Sequence, residues 1–158
     1  MRLIKFYRKL SIQTKVRSLL LIFLTFTVLA LYWTYRQQVK KILDDTHGMM
    51  MSSLRDISEI MSMVAILTDS GFTETDYEML KPYFEERKYF ETGYPFLVTQ
   101  QGDFLLHPWK EGTNELNAEN HIKRLSYGEG SGYFKYLFSV DNRVKWQYIS
   151  YFKPYDAY

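Results

Sequence analysis

The apolar positions of this chain are concentrated in one uninterrupted run near its start. Eighteen consecutive residues, Ser18 to Tyr35, carry no charge. As a helix rising about 1.5 Å per residue, this run is long enough to cross the hydrocarbon layer of a bilayer. The pattern therefore predicts a transmembrane helix over residues 18–35.

The charges beside this run predict its orientation. Residues 1–17 contain six Lys and Arg and no Asp or Glu, and such charges are enriched on the cytoplasmic side of membrane helices. We therefore expect residues 1–17 to be a cytoplasmic basic tail and the rest of the chain to be extracytoplasmic. A cleavable signal peptide is the alternative, but no small-x-small cleavage site follows the run.

After the apolar run, from residue 36 to about residue 68, the pattern changes to a seven-residue repeat. One position of the repeat is occupied by Leu43, Met50, Ile57 and Val64. The other is occupied by His47, Leu54, Met61 and Thr68. Alternating spacings of four and three place both sets on one side of a helix, which is typical of a helix packed along another helix. We expect a long helix over residues 36–70. This helix either covers its own domain or forms the stalk of a homodimer. Both can be true if the first half is the stalk and the second half packs on the domain.

Residues 71–158 alternate between helix and strand signals. Thr75 and Glu78 have the spacing of a capping box and predict a second helix, which Pro82 should kink or split. Strands are expected over 94–99 and 104–107, then over 131–138 and 144–153, with a short helix over 118–127. The predicted fold class is α+β, with an N-terminal transmembrane helix continuing into a long helix and then an antiparallel sheet.

Charge and composition exclude several functions. Removing the six basic residues of the tail from the 20 Lys and Arg leaves 14 against 18 Asp and Glu, so nucleic acid is not an expected partner. The chain has no cysteine, which excludes disulfides, thiolate nucleophiles and cysteine-ligated zinc. No catalytic constellation or metal-ligand spacing is visible, so we expect neither an enzyme nor a cofactor.

The second predicted hairpin is rich in aromatic residues, with ten between Gly132 and Tyr158. Large apolar groups alternate on both of its faces, which indicates a sheet that is covered on both sides or that faces a pocket. The many phenols favour a cavity in which hydroxyls have partners. The high strand propensity of aromatic residues is the alternative explanation.

Four motifs succeed one another in the second half of the chain. They are Gly93-Tyr94-Pro95-Phe96, the GDFLLHP stretch from Gly102, the GSGYFKY stretch from Gly130, and Lys145-Trp146-Gln147-Tyr148. Their order behind a membrane helix resembles the single Cache domains (type 2, PAS-like) of bacterial transmembrane chemoreceptors and sensor kinases. The resemblance covers residues 18–158. It implies a PAS-like antiparallel sheet that binds a small organic ligand, often a short carboxylate, outside the cytoplasmic (inner) membrane.

The resemblance also implies a set of ligand-binding residues: His107, Lys145, Tyr148, Tyr136 and Tyr94. Cations and hydroxyls in an apolar pocket suit the capture of a carboxylate. Lys145 and Tyr148 are three positions apart, so a regular strand places them on opposite faces. We favour Tyr148 because Trp146 shares its face, and a role as a simple turn residue is the alternative for His107.

In the family that the motifs resemble, a final strand, a second transmembrane helix and a signalling module follow the position of Tyr155. We therefore expect residues 71–158 to be a C-terminally truncated Cache-like sensor domain whose last strand is missing. The leading hypothesis is the ligand-sensing part of a receptor like the methyl-accepting chemotaxis proteins, which signals through the helix over residues 36–68. The alternative is a single-pass interaction protein that binds a protein partner through its stalk and aromatic face.

Overall fold

A computed structural model describes residues 11–68, 71–138 and 142–158 and has an α+β fold, which confirms the predicted class. The helices are α1 (Ile12–Thr68), α2 (Glu74–Glu86) and α3 (Glu119–Leu125). The strands are β1 (Leu97–Val98), β2 (Phe104–Leu106), β3 (Ser131–Phe138) and β4 (Arg143–Ser150), and a 3-10 turn covers Lys153–Tyr155. The chain divides into two units, residues 1–47 and 48–158, with the boundary inside α1.

The first unit contains the apolar part of α1. This part is long and apolar enough to cross a membrane, and none of its hydropathic window is buried within the protein. Its threonine hydroxyls donate to backbone carbonyls one turn earlier, as Thr25 does to Leu21 at 2.8 Å and Thr34 to Ala30 at 2.9 Å. Polar groups satisfied inside the helix suit a hydrocarbon environment, where water cannot replace these bonds.

The second unit uses the end of α1 as part of its core. Ile57, Met61 and Val64 from the predicted repeat are buried together with Leu80 and Phe84 of α2. This burial agrees with the expectation that the second half of the repeat covers its own domain. Leu43 in the first half is 39% exposed and is not among the buried core residues.

Helix α2 differs in two ways from the prediction. Its N-cap is Thr73, whose hydroxyl accepts from the backbone of Asp76 while the Asp76 carboxylate accepts from the backbone of Thr73. The predicted capping box at Thr75 and Glu78 is therefore wrong by two residues. Of the two effects predicted for Pro82, the split is wrong, because one helix continues through the proline; the kink stays a prediction. The buried side chains of Leu80 and Phe84 hold both sides of the proline against the core.

The strands form two antiparallel pairs, β1 with β2 and β3 with β4. The first hairpin is shorter than predicted, since regular pairing is limited to two residues of β1 and three of β2 and is interrupted by a bulge. The second pairs Ser131–Phe138 with Arg143–Ser150 over their whole length. Of its predicted turn, Val140 and Asp141 lie outside the described residues, and Asn142 adopts a left-handed conformation with φ 53°.

Ala157 and Tyr158 connect the two hairpins through backbone hydrogen bonds. The amide and carbonyl of Tyr158 pair with those of Val98 in β1, at 2.7 and 2.9 Å. On its other side, Ala157 pairs with Phe152, which follows β4. This segment therefore lies between the outer partners β2 and β3.

A buried carboxylate joins three segments of the second unit. Asp76 is fully buried, and its Oδ1 accepts hydrogen bonds from Thr68 Oγ1 at 2.9 Å and from Tyr155 OH at 2.7 Å. Burial by itself would raise the pKa of Asp76, but hydrogen bonds from Thr73, Tyr155 and Thr68 outweigh it and lower the pKa. The end of α1, the start of α2 and the 3-10 turn thus depend on one ionised group.

We expect Asp76→Asn to lower the free energy of unfolding by about 3 kcal/mol at pH 7, because charge-assisted hydrogen bonds are lost in a buried site. Tyr155→Phe removes one of these bonds and should cost about 1–2 kcal/mol. Denaturant unfolding of the full chain, followed by tryptophan fluorescence, measures both.

The Asp76 contribution is complete above the unfolded-state pKa of about 4 and is lost as pH falls through the lower folded-state pKa. Asp56→Asn, on an exposed position of α1, is the matched control and should leave stability unchanged. Equal effects of the Asp56 and Asp76 variants would contradict the role given to Asp76.

Candidate functional site

Aromatic rings surround the buried imidazole of His107. The ring centroids of Phe104, Tyr94 and Trp109 lie 4.7, 5.1 and 5.4 Å from that of His107. Phe96 is 5.7 Å away. We call these five residues the ring cluster. It brings together His107 and Tyr94, two of the residues that the sequence predicted for the site.

Local sequence places His107 at the end of β2. Pro108 cannot continue the strand, and the chain turns back at Trp109 and Lys110. The His107 Nδ1 accepts hydrogen bonds from the backbone amides of these two residues, at 3.2 and 3.1 Å. Because Nδ1 is an acceptor in both bonds, the neutral ring carries its proton on Nε2. The turn role considered for His107 is thus present, and it leaves a single N–H donor on the ring.

The environment of His107 keeps the imidazole uncharged. Burial, together with the positive charge of Lys110, lowers the pKa of His107 to about 4, against the opposing effects of Glu115 and Glu111. Burial also raises the pKa of Tyr94 to about 12, with smaller contributions from Tyr136 and Glu115. At neutral pH both side chains therefore offer hydrogen-bond donors without bearing a charge.

A small cleft separates His107 from α2. It is lined in part by Lys81, Leu106, Pro108 and Glu111, and its volume of about 10 Å³ suffices for one water molecule. Lys81 and Tyr77 both bond to Glu111, with Lys81 Nζ 3.1 Å from Glu111 Oε2. These contacts attach the His107 turn to α2. The cleft is too small for an organic ligand.

The hairpin of β3 and β4 divides the other predicted residues between its two faces. The register pairs Tyr136 with Lys145, and Tyr133 with Tyr148, and directly paired residues share a face. Tyr136 and Lys145 lie on the face that carries the buried Gln147 and Ile149, which we call the inner face.

Trp146 and Tyr148 lie on the other side of the hairpin, the outer face. Their rings contact the ring of Tyr133, which is 42% exposed, with centroids 5.5 and 5.7 Å apart. Burial raises the pKa of Tyr148. The structure therefore does not bring Trp146 and Tyr148 together with the ring cluster in any described contact, and Lys145, which the sequence ranked below Tyr148, has the inner position.

The structure reveals a buried cation that the sequence analysis did not single out. Arg124 of α3 is completely buried, and its Cζ lies 5.8 Å from the centroid of Phe96 in the ring cluster. Within the described residues, neither its Nε nor its Nη1 has a hydrogen-bond partner. Burial lowers the pKa of Arg124 to about 10, which still leaves the guanidinium charged at neutral pH.

The pattern of α3 explains why Arg124 was missed. A helix with Ile122 and Leu125 should turn these apolar residues inward, yet they are 60% and 39% exposed, while His121 and Arg124 are completely buried. Just beyond the helix, the Tyr127 ring packs on Gly132 so closely that a Cβ there would lie 2.1 Å from Tyr127 Cε1. This contact fixes the end of α3 against β3. Nothing in the apolar spacing indicates the inversion.

The side chains gathered here are mostly hydrogen-bond donors. Tyr136 lies close enough to influence the pKa of both Tyr94 and Arg124, so the inner face, the ring cluster and α3 approach one another at these residues. Gln147, on the inner face, is buried with its Nε2 unpartnered among the described residues. Among all the residues that the structure describes, no group of three His, Cys, Asp or Glu side chains could hold a metal ion. These donors suit the binding of a small anion.

Comparisons with protein-family models, with curated proteins and with solved structures gave no match. The candidate site is therefore described by its own geometry.

We expect the His107 ring to remain neutral, protonated on Nε2 alone, from pH 8 to pH 5, because its pKa is depressed by burial. Nitrogen-15 NMR of the imidazole rings distinguishes this tautomer directly. A transition of His107 above pH 6 would contradict the assignment.

The depressed pKa also gives a stability signature. The contribution is complete above the unfolded-state pKa of about 6.5 and declines as pH falls toward the folded-state pKa. His107→Asn retains an acceptor near the position of Nδ1 but cannot titrate. Between pH 6.5 and pH 4.5 the wild-type chain should therefore lose more unfolding free energy than this variant.

Proposed function

We propose that this chain is the extracytoplasmic, ligand-sensing part of a bacterial transmembrane receptor of the chemoreceptor or sensor-kinase type. The observation that carries the proposal is the double role of α1. The helix contains the apolar run and also supplies Ile57, Met61 and Val64 to the core of the domain that holds the candidate site. A change of packing in that core would therefore displace α1 directly.

The Cache assignment has support from the motif order and from the pairing of Ala157 and Tyr158. PAS-like sheets of the resembled family place the final strand between the two hairpins. Tyr158 pairs with Val98 of β1, and Ala157 pairs with Phe152, two residues after the end of β4. Their position is the one that a final strand would occupy.

The ligand in this proposal is a short carboxylate. The phenols of Tyr94 and Tyr136 and the Nε2–H of His107 are donors beside an apolar wall formed by Phe96 and Phe104. Neutral donors of this kind bind carboxylate oxygens without carrying charge of their own into the site. Lys145, on the inner face, adds a cation at the border of the site.

Signalling in this proposal uses a homodimer formed through the helix over residues 36–68. Three apolar side chains near the end of α1 face away from the core, namely Met63, Ile66 and Leu67, and are 62%, 77% and 71% exposed. Exposed apolar groups of this kind mark interaction surfaces. Binding of ligand would bias the packing of α1 within each domain and thereby the arrangement of the pair.

A second candidate, a membrane-anchored protein that binds a protein partner, rests on the outer face of the β3–β4 hairpin. Tyr133, Leu137 and Val144 on this face are 42%, 61% and 64% exposed. Such a partner would require no small ligand, so the ligand experiment below separates the two candidates.

Ligand binding is tested by thermal unfolding of the full chain in lipid nanodiscs with acetate, propionate, lactate or pyruvate. Sodium chloride at equal ionic strength provides the reference. A ligand at one hundred times its Kd stabilises by about 2.7 kcal/mol, which for a domain of this size raises the midpoint on the order of 10 °C.

The phenol of the site has a matched control. Tyr94→Phe should weaken the acid-induced shift, whereas Tyr133→Phe, on the outer face, should retain it. If none of the acids raises the wild-type midpoint, the small-acid receptor is wrong and the protein-binding candidate is favoured.

The orientation proposed here, with the N-terminus in the cytoplasm, can be tested with single cysteines because the chain has none of its own. Glu129→Cys, at an exposed position of the domain, should react with a membrane-impermeant maleimide in intact spheroplasts. Gln13→Cys should react only after permeabilisation, and the cysteine-free chain is the blank. The reverse labelling pattern would refute this orientation.

A further inference from the structure

Arg124 presents an energetic deficit that the described chain does not compensate. The Nε and Nη1 of the buried guanidinium together carry three N–H hydrogens, and neither nitrogen has an acceptor among the described residues. Leaving buried donors unsatisfied costs about 1–3 kcal/mol for each group, and more when the group is charged. A cation in this position calls for an acceptor from outside the described residues.

The guanidinium is nevertheless held in place. The third nitrogen, Nη2, lies 3.2 Å from His121 Nδ1, and His121 Nε2 lies 3.0 Å from the carbonyl oxygen of Gln100. Because a carbonyl only accepts, the neutral His121 donates through Nε2 and accepts through Nδ1. Burial and the positive charge of Arg124 lower the pKa of His121 and keep the ring neutral. Arg124 is therefore positioned before any ligand arrives.

Arg124 has no described hydrogen bond to a carboxylate. The charge of Glu115 raises the pKa of Arg124 against the effect of burial, but the Oε1 of Glu115 accepts a hydrogen bond from Lys110. The other groups with such an effect are the phenols Tyr136 and Tyr158. A single buried cation whose Nε and Nη1 lack acceptors suits a ligand with one negative charge.

A second unpartnered donor belongs to the same region. Gln147 is buried on the inner face with its Nε2 free of any described acceptor, and it pairs in the ladder with Phe134. Lys123 of α3, the neighbour of Arg124, places its Nζ 6.0 Å from the centroid of that Phe134 ring. Helix α3 and the inner face therefore meet at Phe134, and each of them carries a buried donor without a described acceptor.

We propose that Arg124, held by His121 and assisted by Gln147, binds the carboxylate of a short monocarboxylic acid whose apolar part lies against Phe96. This inference rests on the proposed function and assigns the charge-pairing residue of that same site. The carboxylate supplies the acceptors that the guanidinium lacks, and the amide of Gln147 donates to the acid. The ligand is therefore selected for one negative charge and small size.

The test compares Arg124→Met with Lys123→Met in the full chain in lipid nanodiscs. Replacing a buried, uncompensated cation with an apolar side chain of similar volume is neutral or stabilising. Arg124→Met should therefore retain or raise the unfolding midpoint without ligand, and it should weaken propionate binding at least tenfold. Lys123→Met removes a neighbouring cation of α3 and should retain propionate binding. Propionamide, the uncharged analogue, should not shift the wild-type midpoint.

The outcomes separate this inference from the proposed function. If propionate stabilises wild type and Arg124→Met equally, the function stands and the assignment of Arg124 is wrong. A fall in the ligand-free midpoint of Arg124→Met would show that the guanidinium is already compensated, and this also overturns the assignment. If no acid shifts the wild-type midpoint, both fail together.

A direct measurement keeps the proposal testable if Arg124→Met does not fold. Titration of the wild-type chain with propionate should move the nitrogen-15 resonance of the Arg124 Nε–H, assigned by its loss in Arg124→Lys. Arg124→Lys keeps the charge without the planar array of donors and should bind propionate more weakly. An unmoved Nε–H resonance at saturating propionate would overturn the proposal.

Discussion

The buried carboxylate of Asp76 is the contact on which the second unit depends. It accepts hydrogen bonds from the end of α1, from the residue that caps α2 and from the 3-10 turn that precedes Ala157. A charge without water must be satisfied completely or it destabilises the fold. The three segments that meet there are therefore fixed together, and a displacement of α1 cannot leave the position of Tyr155 unchanged.

The sequence predicts the elements that repeat and misses those that depend on single contacts. The apolar run, the repeat that includes Ile57 and the second hairpin follow from periodicity, and the structure contains them. The start of α2 was misplaced because two overlapping Thr-x-x-acid patterns, at Thr73 and Thr75, are equally good locally. Only the tertiary bonds of Asp76 to Thr68 and Tyr155 decide between them.

Of the candidate site, the sequence motifs predicted the residues whose place follows from local backbone structure. Tertiary packing determines the others. His107 could be anticipated because a strand must end before Pro108. Arg124 could not, because the spacing of Ile122 and Leu125 indicates the opposite face of α3. The two parts also differ in charge, since the His107 imidazole is neutral and the Arg124 guanidinium is charged at neutral pH.

The pairing of Tyr158 with Val98 has a consequence for how the domain is assembled. Val98 is synthesised 60 residues before Tyr158, so one edge of β1 stays open while the intervening residues are made. Contacts between parts of the chain so distant in sequence form late and slowly. During that interval the open edge can pair with a strand from another chain.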